Sequence, residues 1–184
     1  LTSCNGKLYA HDYQTGLMAF ENDAWQPVVT NYSFSKSDPI TGMIPSGSGA
    51  IITTLKSGIL YFNNNIITPI KSGAANFLQN ERIYSAIAIN KEWTALATSN
   101  SGVYIINNRA EIIQKFSSTE GLQSNNILSI FLDNKQNLWL GLNNGLDFIA
   151  YNSAIKHISP KLLDESGYTA MIQNQQLYIG TSNG

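Results

Sequence analysis

Residues 121–146 read GLQSNNILSIFLDNKQNLWLGLNNGL, and this stretch decides the fold. It contains two apolar runs, Ile127 to Asp133 and Leu138 to Leu142, which are typical of β-strands. Residues 134–137 between the runs are polar and predict a turn. After the second run, Asn143, Asn144 and Gly145 tolerate the left-handed backbone that a tight hairpin needs. The stretch therefore predicts consecutive antiparallel strands.

The same pattern recurs along the chain. A glycine that follows small or polar residues stands at five positions with spacings of 42, 44, 43 and 39 residues: Gly16, Gly58, Gly102, Gly145 and Gly184. Each of the first four is followed by an aliphatic residue, and an apolar run precedes each turn. Such regular self-similarity is typical of repeat architectures.

Each repeat reads as four strands, here termed A to D. In the repeat around Gly145, Leu146 to Tyr151 predicts the C strand and Ile155 to Ile158 a weaker D strand. A four-stranded repeat of roughly 40–45 residues is typical of a β-propeller blade. A helical solenoid of similar period is excluded because Gly or Asn pairs interrupt every helical pattern.

The predicted fold is therefore all-β, with β-propeller blades of four antiparallel strands. About four blades and part of a fifth fit the chain, and we expect it to be a fragment of a larger, seven-bladed propeller. The predicted blades cover residues 1–32, 39–70, 82–116 and 126–158, with an incomplete blade at 167–184.

The quoted stretch closely resembles the two-component regulator propeller repeat, and Leu177 to Gly184 repeats its core with Tyr178 in place of Trp139. Two departures are Asn137, where the family usually has a turn glycine one residue earlier, and Leu142, where Thr is common. The resemblance implies the periplasmic sensor part of a bacterial membrane-anchored regulator. It further implies a kinase or DNA-binding output domain elsewhere in the protein, a homodimer formed through the whole receptor, and, in many members, carbohydrate sensing.

Composition excludes several classes of function. The 184 residues carry 11 basic and 12 acidic side chains, a net charge of −1, so no charge excess favours nucleic acid or an anionic membrane. One cysteine, Cys4, excludes an internal disulfide framework. Leu1 to Cys4 resembles a lipobox, and we expect this to be a chance match, since Asn5 and Gly6 lead directly into a strand pair. No cofactor is expected.

Catalytic and metal-binding patterns are sparse. His11 and Asp12 are adjacent in a strand and would point to opposite faces, and His157 has no acid in register. The two histidines and single cysteine supply no metal-ligand spacing, and Asp164 and Glu165 suit a solvated loop. We therefore expect this segment not to be an enzyme.

The predicted ligand-binding face combines the B–C and D–A connections, which a propeller places on one side. Its amides and hydroxyls beside aromatic rings suit a neutral polyol such as a sugar. The D–A loops involved are residues 31–39, 71–81 and 117–126. The candidate ligand-binding residues are Tyr32, Phe77, Asn100, Ser101, Glu120, Asn125, Asn126, Asn143 and Asn144.

Other conspicuous residues suit structural roles. Trp93, Trp139 and Tyr178 lie in predicted B strands and suit packing between blades, while Trp25 suits packing at an outer edge. Asp133 precedes the A–B turn and is expected to cap it.

Three functional hypotheses follow. The leading one is a sensor that recognises an oligosaccharide or small molecule and signals through dimer geometry. A protein-docking scaffold of a cell-surface or secretion assembly is the alternative, and a propeller hydrolase or lyase is the least favoured.

Overall fold

A computed structural model describes residues 1–71, 78, 81–151 and 167–181. The chain divides into two units, Leu1–Ser153 and Ala154–Gly184, which are described separately below. Among the described residues, no helix is long and apolar enough to cross a bilayer.

The first unit is built from successive antiparallel sheets. The first sheet contains β1 (Thr2–Cys4), β2 (Lys7–Asp12), β3 (Gly16–Glu21) and β4 (Ala24–Pro27). The second contains β5 (Ile40–Ser46), β6 (Gly49–Thr54), β7 (Ile59–Asn63) and β8 (Ile66–Pro69). The third contains β9 (Ile83–Ala88), β10 (Trp93–Thr98), β11 (Val103–Asn107) and β12 (Ile112–Phe116). In all three sheets, strand order follows chain order.

The fourth sheet has three described strands, β13 (Ile127–Leu132), β14 (Leu138–Leu142) and β15 (Leu146–Ile149). Its predicted D strand, 155–158, lies outside the described residues. The second unit contains the hairpin β16 (Gly167–Gln173) and β17 (Gln176–Thr181). The prediction of all-β blades built as four-stranded antiparallel sheets is confirmed.

The recurrent glycine has a conformational reason. Gly16, Gly58 and Gly102 end the B–C turns with φ of +88°, +79° and +84°, a region that side chains with a Cβ disfavour. The C–D turns use polar residues at positive φ in the same way, as at Asn22 and Asp23 or Asn64 and Asn65. Tight turns of this kind explain why the sequence is rich in Asn and Gly.

The hydrophobic cores lie between neighbouring sheets. One cluster joins the first two sheets, a second joins the next two, and a third joins β9–β12 to β13–β15. Strand β10 shows the alternation, since Leu96 packs in one cluster whereas Ala95 and Ala97 pack in another. All three are fully buried, as expected of a sheet covered on both faces. The A strands pack side by side, β1 on β5, β5 on β9, and β9 on β13.

The conspicuous tryptophans separate into two groups. Trp93 packs against the cluster between the third and fourth sheets and meets Tyr151 with ring centroids 6.2 Å apart, as predicted for packing between blades. Trp139 differs, because the residue is 42% exposed and its ring packs within its own sheet on Phe148, with ring centroids 4.9 Å apart. Trp25 packs on Phe20 at the outer strand β4, in agreement with the prediction.

Candidate ligand-binding face

The B–C turns and D–A loops are joined by an acidic residue that stands two positions before an A strand. The buried Asp38 precedes β5, and its carboxylate accepts hydrogen bonds from the backbone N–H of Lys56 at 2.5 Å and of Ser57 at 3.1 Å. The Ser57 hydroxyl also donates to Asp38. Glu81 precedes β9 and accepts from the Ser101 hydroxyl at 2.5 Å. In both blades the D–A loop thus fixes the B–C turn beside it.

Loop 117–126 is held by hydrogen bonds within the loop itself. Ser117 begins a single 3-10 turn, Ser118–Glu120, and the Glu120 carboxylate accepts from the Ser117 backbone N–H at 2.9 Å. The Ser117 side chain in turn accepts from the Thr119 N–H, which completes a capping box. The candidate residue Glu120 is therefore engaged in holding its own loop.

Asn125 and Asn126 lie at the end of this loop. Asn125 stands at the position of Asp38 and Glu81, and its side-chain oxygen accepts from the Ser118 N–H at 2.6 Å. Its backbone carbonyl accepts from the Gly102 N–H, so this loop contacts the B–C turn of the preceding blade, whereas Asp38 and Glu81 hold the turn that follows them in the chain. Asn126 is half-buried, and its side-chain oxygen has no hydrogen-bond partner within the described part of the chain.

The B–C turns place the remaining amide candidates at the surface. Asn100, Asn143 and Asn144 are exposed, whereas Ser101 is half-buried and held by Glu81. The turn after β14 is one residue shorter than the turn after β10. The Leu142 N–H donates to the carbonyl of Gly145, three positions on, whereas the Thr98 N–H donates to the carbonyl of Gly102, four positions on.

Aromatic rings form a continuous series at the first blade. Tyr32 meets Phe34 at 5.0 Å between ring centroids, Phe34 meets His11 at 5.4 Å, and His11 meets Tyr13 at 5.5 Å. The term aromatic series is used below for these four residues. Phe77, the other aromatic candidate, lies outside the described residues, as do His157, Asp164 and Glu165.

Two clefts flank the aromatic series. One, of about 330 Å³, is lined by His11 and Tyr13 together with residues of the A strands, including Thr2 of β1, Thr41 of β5 and Ala86 of β9. The other, of about 260 Å³, is lined by Gln14, Thr15, Tyr32 and Phe34 among others. We refer to the first as the inner cleft, since it lies where the A strands of three blades converge.

His11 has a defined tautomer in the inner cleft. Its Nδ1 accepts a hydrogen bond from the Ile40 backbone N–H at 3.2 Å, so the imidazole proton is on Nε2. Burial lowers the pKa of His11, which keeps the ring neutral at neutral pH. Asp12 is engaged elsewhere, because its carboxylate accepts from the N–H groups of Gln14 and Thr15.

Sequence reasoning did not select His11 as a binding residue. The sequence pattern indicates His11 only as half of a pair with Asp12, and its contacts with Ile40 and Phe34 span 29 and 23 positions along the chain. The sequence feature that could have indicated a binding role is its position one residue before Asp12, which caps the B–C turn.

Metal sites are a separate question. The described residues contain no group of three or more His, Cys, Asp or Glu side chains that could hold an ion.

The segment around β13 and β14 is similar to a known protein family. Residues 121–144 match the family model described as two component regulator propeller. Residues 121–144 are thus similar to a two-component regulator propeller repeat. The predicted resemblance is thereby confirmed, and the repeat coincides with loop 117–126, β13 and β14. No curated protein matches the chain.

Solved structures share the propeller-repeat fold at low identity. The extracellular domain of the hybrid two component system BT4673 from B. thetaiotaomicron is 20% identical with a TM-score of 0.61, over 83% of this chain and 21% of that one. The corresponding domain of BT3049 is 19% identical with a TM-score of 0.58, over 95% and 24%. PorZ, a surface component of the Porphyromonas gingivalis type-IX secretion system, is 18% identical with a TM-score of 0.53, over 74% and 20%. The chain thus spans between a fifth and a quarter of each of these structures.

Proposed function

We propose that this chain is part of the extracytoplasmic sensor propeller of a bacterial membrane-anchored regulator and has no catalytic activity of its own. The observation that carries the proposal is the match of residues 121–144 to the two-component regulator propeller repeat. The similar folds of two extracellular domains of hybrid two component systems support it.

The ligand in this proposal is a neutral carbohydrate. The acidic residues on the B–C and D–A face are already engaged: Asp38 and Glu81 hold B–C turns, and Glu120 caps its own loop. Toward solvent this face presents the amides of Asn100, Asn143 and Asn144, together with a few lysines such as Lys36 and Lys56. Amides offer paired donors and acceptors to sugar hydroxyls without the desolvation cost of a charge.

Signalling would follow from a change in dimer geometry of the whole receptor. A ligand shifts an equilibrium only by its differential affinity for the two states, so it must bind one dimer arrangement more tightly than the other. The polar face described above would contribute part of that difference.

Calorimetric titration of the complete ectodomain with a panel of neutral and acidic oligosaccharides tests the ligand class. We expect at least one neutral oligosaccharide to bind and the triple variant Asn100→Ala, Asn143→Ala, Asn144→Ala to bind it more weakly. Asn134→Ala is the matched control, since Asn134 is an exposed asparagine in the A–B turn on the opposite face. Absence of binding across the neutral panel would contradict a carbohydrate sensor.

A protein-docking scaffold is the second candidate, favoured by the fold shared with PorZ. The two candidates differ in what accompanies the propeller. A kinase or DNA-binding domain in the same protein favours the sensor, whereas a sorting or adhesion domain favours the scaffold. Sequencing the whole reading frame distinguishes them.

A further inference from the structure

The inner cleft has a size suited to one small ring. Its volume of about 330 Å³ is at the lower end of the range for ligand sites. Residues from three blades form its walls, with Thr2, Thr41 and Ala86 contributed by β1, β5 and β9. A site assembled from neighbouring blades responds to their relative placement, as a sensor requires.

The walls of the inner cleft are uncharged. None of the described side chains that line it belongs to Asp, Glu, Lys or Arg. Apolar surface comes from residues such as Leu17 and Ile40, and hydroxyl groups come from Thr2 and Thr41. This combination disfavours ions and favours a ligand with both C–H surface and hydroxyl groups.

His11, which lines this cleft, has one buried donor without a partner among the described residues. Because Nδ1 of His11 accepts from the Ile40 N–H, the free nitrogen Nε2 carries the proton and can only donate. Nε2 is buried and has no hydrogen-bond partner within the described residues. A buried donor without an acceptor is unfavourable, so a ligand oxygen placed there would gain from satisfying it.

The ring of His11 is also held in place. Phe34 packs on one side with centroids 5.4 Å apart, and Tyr13 packs edge-on at 5.5 Å. The hydrogen bond to Ile40 fixes the tautomer and the two ring contacts fix the orientation, so the imidazole has one defined donor, Nε2–H.

We propose that the inner cleft binds one neutral sugar ring of the sensed carbohydrate, with His11 Nε2–H donating a hydrogen bond to a ring or hydroxyl oxygen. This rests on the proposed function and adds the subsite and the residue that recognises the ring. Tyr13 and Phe34 act as positioning residues for His11, and the threonine hydroxyls of the cleft offer further partners to the sugar.

The test uses the complete ectodomain and two measurements. Methyl glycosides of glucose, galactose and mannose are titrated while the imidazole ¹H–¹⁵N signals of His11 are followed by NMR. Any oligosaccharide that binds in the calorimetric panel is then measured with His11→Phe, His11→Gln and Thr2→Phe. Gln retains an N–H donor, whereas Thr2→Phe narrows the cleft and leaves the His11 hydrogen bond to Ile40 intact.

We expect saturable shifts of the His11 Nε2–H signal and a loss of affinity of about tenfold in His11→Phe, the effect of one lost hydrogen bond. His11→Gln should restore most of that affinity, and Thr2→Phe should reduce it. Thermal unfolding of each variant, followed by circular dichroism, shows whether it is folded. If His11→Phe does not fold, the affinity of Thr2→Phe tests the subsite instead.

Two results would overturn the proposal in distinguishable ways. If an oligosaccharide binds and neither His11→Phe nor Thr2→Phe alters its Kd, the inner cleft is not the subsite although the sensor function stands. If no saccharide binds and the His11 signals do not move, the carbohydrate class and the subsite are both wrong.

Discussion

Asp38 shows at the scale of one residue how the D–A loops are held. Its carboxylate is buried and accepts from Lys56 and Ser57, so Asp38→Ala leaves these donors unpaired. We expect a loss of about 1–3 kcal/mol in the free energy of unfolding, measured by urea denaturation. Glu92→Ala, at an exposed acid in an A–B turn, is the control and should change it by no more than about 0.5 kcal/mol. Equal effects of the two substitutions would show that the Asp38 hydrogen bonds do not stabilise the fold.

Asp133 makes a second residue-scale prediction, about pH. Hydrogen bonds to its carboxylate, foremost from the Asn137 backbone N–H, lower the pKa of Asp133 from 3.8 to about 2. A carboxyl whose pKa is lower in the folded state contributes stability above its ordinary pKa and loses it as the pH falls through the folded value. We therefore expect the stability difference between the wild type and Asp133→Asn to shrink as the pH falls from about 4 to about 2. Urea midpoints measured across this range test it, and a constant difference would speak against the assignment.

At the scale of the element, the B–C turn after β10 has little room at its glycine. Gly102 has φ of +84°, and a Cβ there would lie 2.0 Å from the carbonyl oxygen of Phe116. Gly6 has a similar φ of +75° with nothing within 4 Å, so it separates backbone strain from the clash. We expect Gly6→Ala to cost about 1–2 kcal/mol and Gly102→Ala about 2–5 kcal/mol in urea unfolding. Similar costs for the two would mean that the turn relaxes around the added methyl group.

Strands and turns were largely predictable because their determinants are local. The glycines of the B–C turns and the polar residues of the C–D turns each lie in one short stretch of sequence. Gly16, Gly58 and Gly102 adopt the left-handed backbone, whereas the turn after β14 does not, because Gly145 has φ of +159° and neither Asn143 nor Asn144 has a positive φ. The contacts between Asp38 and Ser57, or Glu81 and Ser101, were not predicted, because each joins residues 19 or 20 positions apart. No periodicity in the sequence marks them.

The candidate site is a property of the whole first unit, and so was less predictable. Position in the repeat correctly put Asn100, Asn143 and Asn144 at the surface of their turns, but it gave no information on their partners. The role of Glu120 is local, because Ser117 and Glu120 stand at the spacing of a capping box, and the sequence shows that spacing. The unused donor of His11, in contrast, depends on the packing of strands and loops from different blades. Such three-dimensional arrangements cannot be read from a single sequence with only local patterns.

At the scale of the whole first unit, stability depends on hydrophobic cores that lie between neighbouring blades. Contacts of this kind make stability a sum of local terms and nearest-neighbour terms, as in repeat proteins. Leu140 is fully buried between the third and fourth sheets, and Ile52 is fully buried between the first and second. Leu140→Ala and Ile52→Ala should each cost about 2–5 kcal/mol, but at different places. Hydrogen exchange should accelerate mainly in β13–β15 for Leu140→Ala and mainly in β1–β4 for Ile52→Ala, because these sheets share no core cluster. Uniform acceleration in both variants would instead show that the blades unfold as one cooperative unit.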